Sequence, residues 1–152
     1  MIGYLIFAAA WVVLDQAVKF LVRAFIPLHT SQTLIPGLFD LTYIRNTGAA
    51  FSILSSQTWI LTVLSGAATA VLLVLLLRRA IPTRLGMLSL SLLLAGAAGN
   101  LIDRVAFGCV TDMFETTFMN FHVFNVADIG VVIGAVLMVL TVLLAGDKEE
   151  GQ

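Results

Sequence analysis

Residues 109–130 read CVTDMFETTFMNFHVFNVADIG, and they decide how the chain is read. Asp128 stands at the head of an apolar run that continues to Ala145. A run of that kind has the length of a membrane span, about 20 residues. Asp112 follows closely on another such run. A carboxylate at the rim of a bilayer is costly to ionise and needs a reason to be there. Two of them, brought to the same rim by a hairpin, predict a shared proton and aspartyl-type chemistry.

Composition supports the membrane reading. The chain has 152 residues, of which 60% are hydrophobic and only 11% charged, and its mean hydropathy is +1.05. Soluble domains carry about 25% charged residues. The length predicts one integral membrane domain, 1–152. A net charge of −1 gives no reason to expect a nucleic-acid partner. The single cysteine excludes an internal disulfide and a cysteine-based zinc site. The alanines at 8–10 could mimic a signal-peptide cleavage site, but no basic segment precedes them and the apolar run continues to Leu14. They are read as part of a retained first span.

Four spans are predicted, at 2–22, 59–77, 85–105 and 124–145. Backbone buried in lipid must satisfy its own hydrogen bonds, so the spans are helices and the fold is all-α. The short loop 78–84, RRAIPTR, carries three arginines and is expected in the cytoplasm. Both termini are then cytoplasmic and the aspartates lie at the outer leaflet. Lys19, Arg23, Arg45 and Arg104 fall on the other side and are assigned to site and interface work. On that outer side, residues 38–46 (LFDLTYIRN) alternate as a strand does, after a Pro36-Gly37 turn. Residues 107–114 (FGCVTDMF) could pair with it. Residues 46–54 (NTGAAFSIL) read as a turn into a short apolar segment lying on the membrane.

Several polar residues stand inside or beside the spans. Asp15 and Lys19 share a helix face, with acid before base. They predict either an ion pair near the outer interface with Lys19 snorkelling, or a role in ordering the site. Asn100 and Arg104 are four apart, with Asp103 beside them. They predict helix glue or support for the carboxylates. Asn125 and Asp128 face the same way, and Asp128 also suits a helix N-terminus. Gly96 and Gly99, and Gly130 and Gly134, would admit close helix approach. His29 and His122 form no HExxH pattern, which argues against a metalloprotease. Cys109 reads as packing rather than as a thiol nucleophile.

Taken in order, DQAVK (15–19), NTGAAFS (46–52), GAAGNLIDR (96–104), VTDMF (110–114) and FNVADIG (124–130) resemble bacterial lipoprotein signal peptidase, or signal peptidase II. The resemblance covers nearly the whole chain. It implies a membrane-embedded aspartyl endopeptidase that needs no cofactor or metal. Such an enzyme cuts diacylglyceryl-modified prolipoproteins just before the lipidated cysteine, among membrane phospholipids. By motif match Asp112 and Asp128 correspond to the catalytic pair. Asp15, Lys19, Asn46, Gly48, Asn100, Arg104, Asn125 and Ala127 fall on the other recurrent positions. A small β-cradle and a short amphipathic interfacial helix are also implied, fitting 38–46 and 49–54. Met113 stands where a second aromatic would be expected, and a thioether there should suit a groove for lipid. Specificity is expected from a polar ring of Asn46, Asn100, Arg104 and Asn125. The rival readings are a small four-span proton-coupled transporter with Asp15 as its site, and a non-catalytic assembly or lipid-binding protein.

Overall fold

The computed structural model of the chain describes residues 1–48 and 57–149. Helix α1 (Ile2–Phe25) leads into strands β1 (Ser31–Ile35) and β2 (Phe39–Asn46). Helices α2 (Thr58–Leu77) and α3 (Arg84–Phe107) follow, then strand β3 (Val110–Thr116) and helix α4 (Val126–Glu149). All four helices are long and apolar enough to cross a membrane. The expected amphipathic segment at 49–54 lies outside the described residues.

Helix α3 is the central element, touching each of the other three helices. Lipid is as apolar as leucine, so these helices gain little from hiding apolar surface from one another. Close backbone approach and hydrogen bonds hold them instead. A Cβ built on Gly96 would lie 2.5 Å from the Ala127 carbonyl oxygen, and one on Gly134 would lie 3.0 Å from the Leu93 nitrogen. Ser89 Oγ donates to the Gly134 carbonyl at 2.6 Å. The Trp11 indole N–H donates to the Val126 carbonyl at 3.2 Å, pinning α1 to the start of α4.

The strands form one antiparallel sheet in the order β1-β2-β3. Strand β1 had not been anticipated. Its sequence, SQTLI, begins with three polar residues and every position is exposed, so no apolar alternation marks it. Strand β2 starts one residue later than expected and ends at Asn46 as expected. Its pairing with β3 sets Ile44 opposite Asp112 and Asn46 opposite Val110.

The register fixes a correction. Met113 does not line a groove for lipid. It is fully buried against Val22, Ile26 and Tyr43. Successive strand residues face opposite ways, so turning Asp112 toward one side turns Met113 toward α1. Helix α4 also starts later than its apolar run. Phe124 exchanges backbone hydrogen bonds with Phe114 (2.8 and 3.0 Å), which holds the chain extended until Asn125 caps the helix.

Candidate active site

Four local features bring the polar residues together at the sheet end of the bundle. Helix α3 stops at Gly108, whose φ of 69° is left-handed and whose N–H bonds the Arg104 carbonyl at 3.0 Å. Glycine takes that conformation without a Cβ clash. The chain then turns directly into β3, so Asp112 sits near Asn100 and Arg104. Sheet alternation puts Asn46 diagonally across from Asp112 on one face, and its amide donates to Asp112 Oδ2 at 2.9 Å. Asn46 is itself oriented by the Gly48 N–H, which donates to Asn46 Oδ1 at 2.9 Å.

The fourth feature is the start of α4. Asn125 Oδ1 accepts the Asp128 N–H at 2.9 Å, and Asp128 Oδ2 accepts the Asn125 N–H at 3.1 Å. This is a reciprocal helix cap, so the reading of Asp128 as a helix N-terminal acid holds alongside its place in the site. The Asn125 amide also donates to Asp112 Oδ1 at 2.6 Å and to Asn100 Oδ1 at 3.1 Å. Asn100 in turn donates to Asp128 Oδ1 at 2.8 Å. Asp112 and Asp128 are therefore joined through two asparagines, and both line one cavity of about 670 Å³.

Asn46, Gly48, Asn100 and Arg104 line the same cavity, with Ile44, Phe124, Ile129 and Val132 supplying apolar wall. Arg104 is held by Ser65 Oγ at 3.2 Å, and among the described residues no carboxylate pairs with it within 4.0 Å. Asp112 is only 2% exposed. Burial pushes its carboxyl up to about 6; the Asn46 amide opposes that rise, the charge on Asp128 adds to it, and Asn125 and Lys19 oppose it.

Two further expectations change. Asn125 is fully buried and lies behind the carboxylates, so it cannot belong to a ring that touches substrate. Lys19 does not snorkel. It is fully buried, 3.0 Å from Asp15 and 3.1 Å from Asn100 Oδ1. His122, in the exposed loop before α4, lines the cavity. Asp15 and Ala127 are also fully buried, and Asp15 Oδ1 accepts the Ala127 N–H at 2.8 Å. Cys109 is buried and its thiol is pushed up chiefly by that burial, which disfavours a thiolate nucleophile.

The sequence alone points to no role for Gln16, Ser65 or Thr111, and for Arg23 only to site or interface work. Arg23 donates to Thr111 Oγ1 at 3.0 Å, and Gln16 bonds Asp15, Asp103 and the Gly99 carbonyl. Arg23 was legible: Asp15, Lys19 and Arg23 recur every four residues, a charged face down one half of α1.

A family model described as signal peptidase (SPase) II matches residues 7–144. The chain belongs to the signal peptidase II family. A lipoprotein signal peptidase of Enterococcus faecalis is 39% identical over 144 residues, covering 95% of this chain and 89% of that one. One from Brevibacillus brevis is 37% identical, covering 96% and 98%. A solved bacterial membrane enzyme, determined by the in meso method at 2.3 Å, superposes with a TM-score of 0.90 at 29% identity, covering 97% of this chain and 92% of that chain. As a signal peptidase II the chain is a protease, aspartic in type, and the transporter reading is not supported. Four spanning helices and the family make it a multi-pass protein of the bacterial inner membrane.

Proposed function

We propose that the chain removes signal peptides from prolipoproteins by aspartyl chemistry, with Asp112 and Asp128 as the catalytic pair. The observation that carries this reading is the meeting of both carboxylates in one cavity, each held by two donors from neighbouring residues. The substrate is a prolipoprotein already carrying diacylglycerol on its cysteine, cut just before that residue. Both termini lie in the cytoplasm and the pair lies near the outer leaflet, as the arginine-rich loop between α2 and α3 favours.

Peptide hydrolysis needs an activated water, a proton donor and polarisation of the carbonyl. Close carboxylates do not both ionise freely, and the charge on Asp128 favours a proton on Asp112. Asp112 is the buried member, raised to about 6, and it donates to the scissile carbonyl oxygen. Asp128 takes a proton from the attacking water. On collapse Asp128 gives the proton it gained to the leaving amine, and ionised Asp112 takes one back from a hydroxyl of the gem-diol, which restores the starting state. Asn46, Asn100 and Asn125 fix the carboxylate planes, and Arg104, with no carboxylate within 4.0 Å among the described residues, is available to the substrate backbone.

The substrate arrives laterally from the bilayer. Burying acyl methylenes contributes roughly 0.8 kcal/mol each from water, but a substrate already in lipid gains little of that. Of the expected polar ring, Asn46, Asn100 and Arg104 reach the cavity, and discrimination falls to them. Purified protein is assayed with a diacylglyceryl-modified signal-bearing peptide, with and without chelator. Cleavage next to the lipidated residue in both conditions is expected. A requirement for a divalent ion would overturn the mechanism. Arg104→Ala should impair cleavage without unfolding, and normal turnover would remove Arg104 from the site.

A further inference from the structure

We propose that Asp103 is a positioning residue, part of a buried clamp with Lys19 and Asp15 that fixes the separation of the segments bearing Asp112 and Asp128. The inference rests on the reading of that pair as catalytic.

The clamp has two matching arms. Asp103 Oδ2 on α3 accepts the Thr111 N–H at 2.8 Å, and Thr111 is the residue immediately before Asp112. Asp15 Oδ1 on α1 accepts the Ala127 N–H at 2.8 Å, and Ala127 is the residue immediately before Asp128. Each arm grips backbone, one residue upstream of a paired carboxylate. Amide bonds to an ionised carboxylate are short and strong for their class.

Lys19 joins the arms. Its Nζ lies 3.0 Å from Asp15 Oδ2 and 3.6 Å from Asp103 Oδ2. It also donates to Asn100 Oδ1 at 3.1 Å, the residue whose amide holds Asp128. Gln16 bridges Asp15 and Asp103 a second time, at 3.0 and 3.3 Å. Arg23 lies 3.6 Å from Asp103 Oδ1 and bonds the Thr111 hydroxyl, so the two carboxylates face two cations. Asp15, Lys19 and Asp103 are each fully buried, and none lines the cavity. They do not touch substrate.

A well-packed apolar cluster would hold helices together as well as buried charges do. It would not fix the backbone of a strand against the first turn of a helix. Hydrolysis by a carboxylate pair needs that fixity, since a misplacement of about 1 Å can slow a reaction on the order of 10²-fold.

The test is Asp103→Asn, measured with the diacylglyceryl-modified peptide for kcat, KM, pH profile and thermal stability. We expect kcat to fall by about tenfold or more while KM stays close to that of the natural chain. The fall of kcat/KM at rising pH should also move to lower pH. Asp112 faces Asp128 on α4, Lys19 on α1 and Arg104 on α3. A wider pair weakens the push of Asp128 on Asp112, and a less neutralised Lys19 pulls Asp112 down further. Thr111→Pro is the second variant. It deletes the N–H that Asp103 accepts, together with the hydroxyl that Arg23 bonds, and leaves the buried charges in place; β3 is an edge strand, where proline is tolerated. It should reproduce the loss in kcat. Folded variants with unchanged kcat and pH profile overturn the clamp, as does a loss that disappears when rates are expressed per folded molecule. Asp112→Asn is run alongside. If it retains turnover, the catalytic reading itself has failed; if it is inert while both clamp variants turn over normally, only the clamp has failed.

Discussion

Asn125 holds Asp112 through its side-chain amide at 2.6 Å while its carbonyl oxygen caps the helix that begins with Asp128. One fully buried side chain thus serves helix stability and carboxylate geometry together. Asp128 closes the cap from the other side with its Oδ2, leaving Oδ1 to Asn100.

Asn125→Ala should therefore carry two penalties. Loss of an N-cap costs about 1–2 kcal/mol. Loss of the donor to Asp112 releases the carboxylate plane and should reduce turnover on the order of 10²-fold. Thermal unfolding in detergent and turnover of the folded fraction separate the two.

The pH profile follows from Asp112. Its carboxyl is raised by burial to about 6, so it is protonated below that pH and ionised above it. As the proton donor it is competent in the protonated form. The kcat/KM of the free enzyme should fall as pH rises through about 6. The Asn46 amide favours the ionised form, so Asn46→Ala should move that fall to higher pH. A shift to lower pH, or none, would contradict the assigned contact.

Much of this was legible in the sequence. Asp112 and Asp128 could be placed at one rim because each adjoins an apolar run, and four spans forced them to the same side. What period and motif could not supply was which way a strand residue points. Met113 differs from Asp112 by one position and faces the opposite side, a matter of register with β2 that no single strand encodes. Strand β1 was missed because an edge strand exposed on both faces carries no alternation. The sequence leaves Lys19 open between snorkelling to water and ordering the site. Only the fold shows Asp103 arriving from α3 as a second carboxylate that keeps it buried.

Helix packing gives a prediction independent of the chemistry. Gly96→Ala would set a methyl 2.5 Å from the Ala127 carbonyl oxygen and the Val131 side chain. Overpacking of this kind costs about 1–3 kcal/mol, and α4 should shift at the turn that carries Asp128. Gly3→Ala, with nothing within 4 Å of the added methyl, should leave stability and turnover alone. Melting curves of the two variants check this.

The pairing of Asp112 with Asp128 is tested most directly by turnover of Asp112→Asn and Asp128→Asn on a diacylglyceryl-modified prolipoprotein peptide, with folding checked in the same samples. Both variants should fold, bind the peptide and leave it uncut. Wild-type turnover by either one would contradict the catalytic pair.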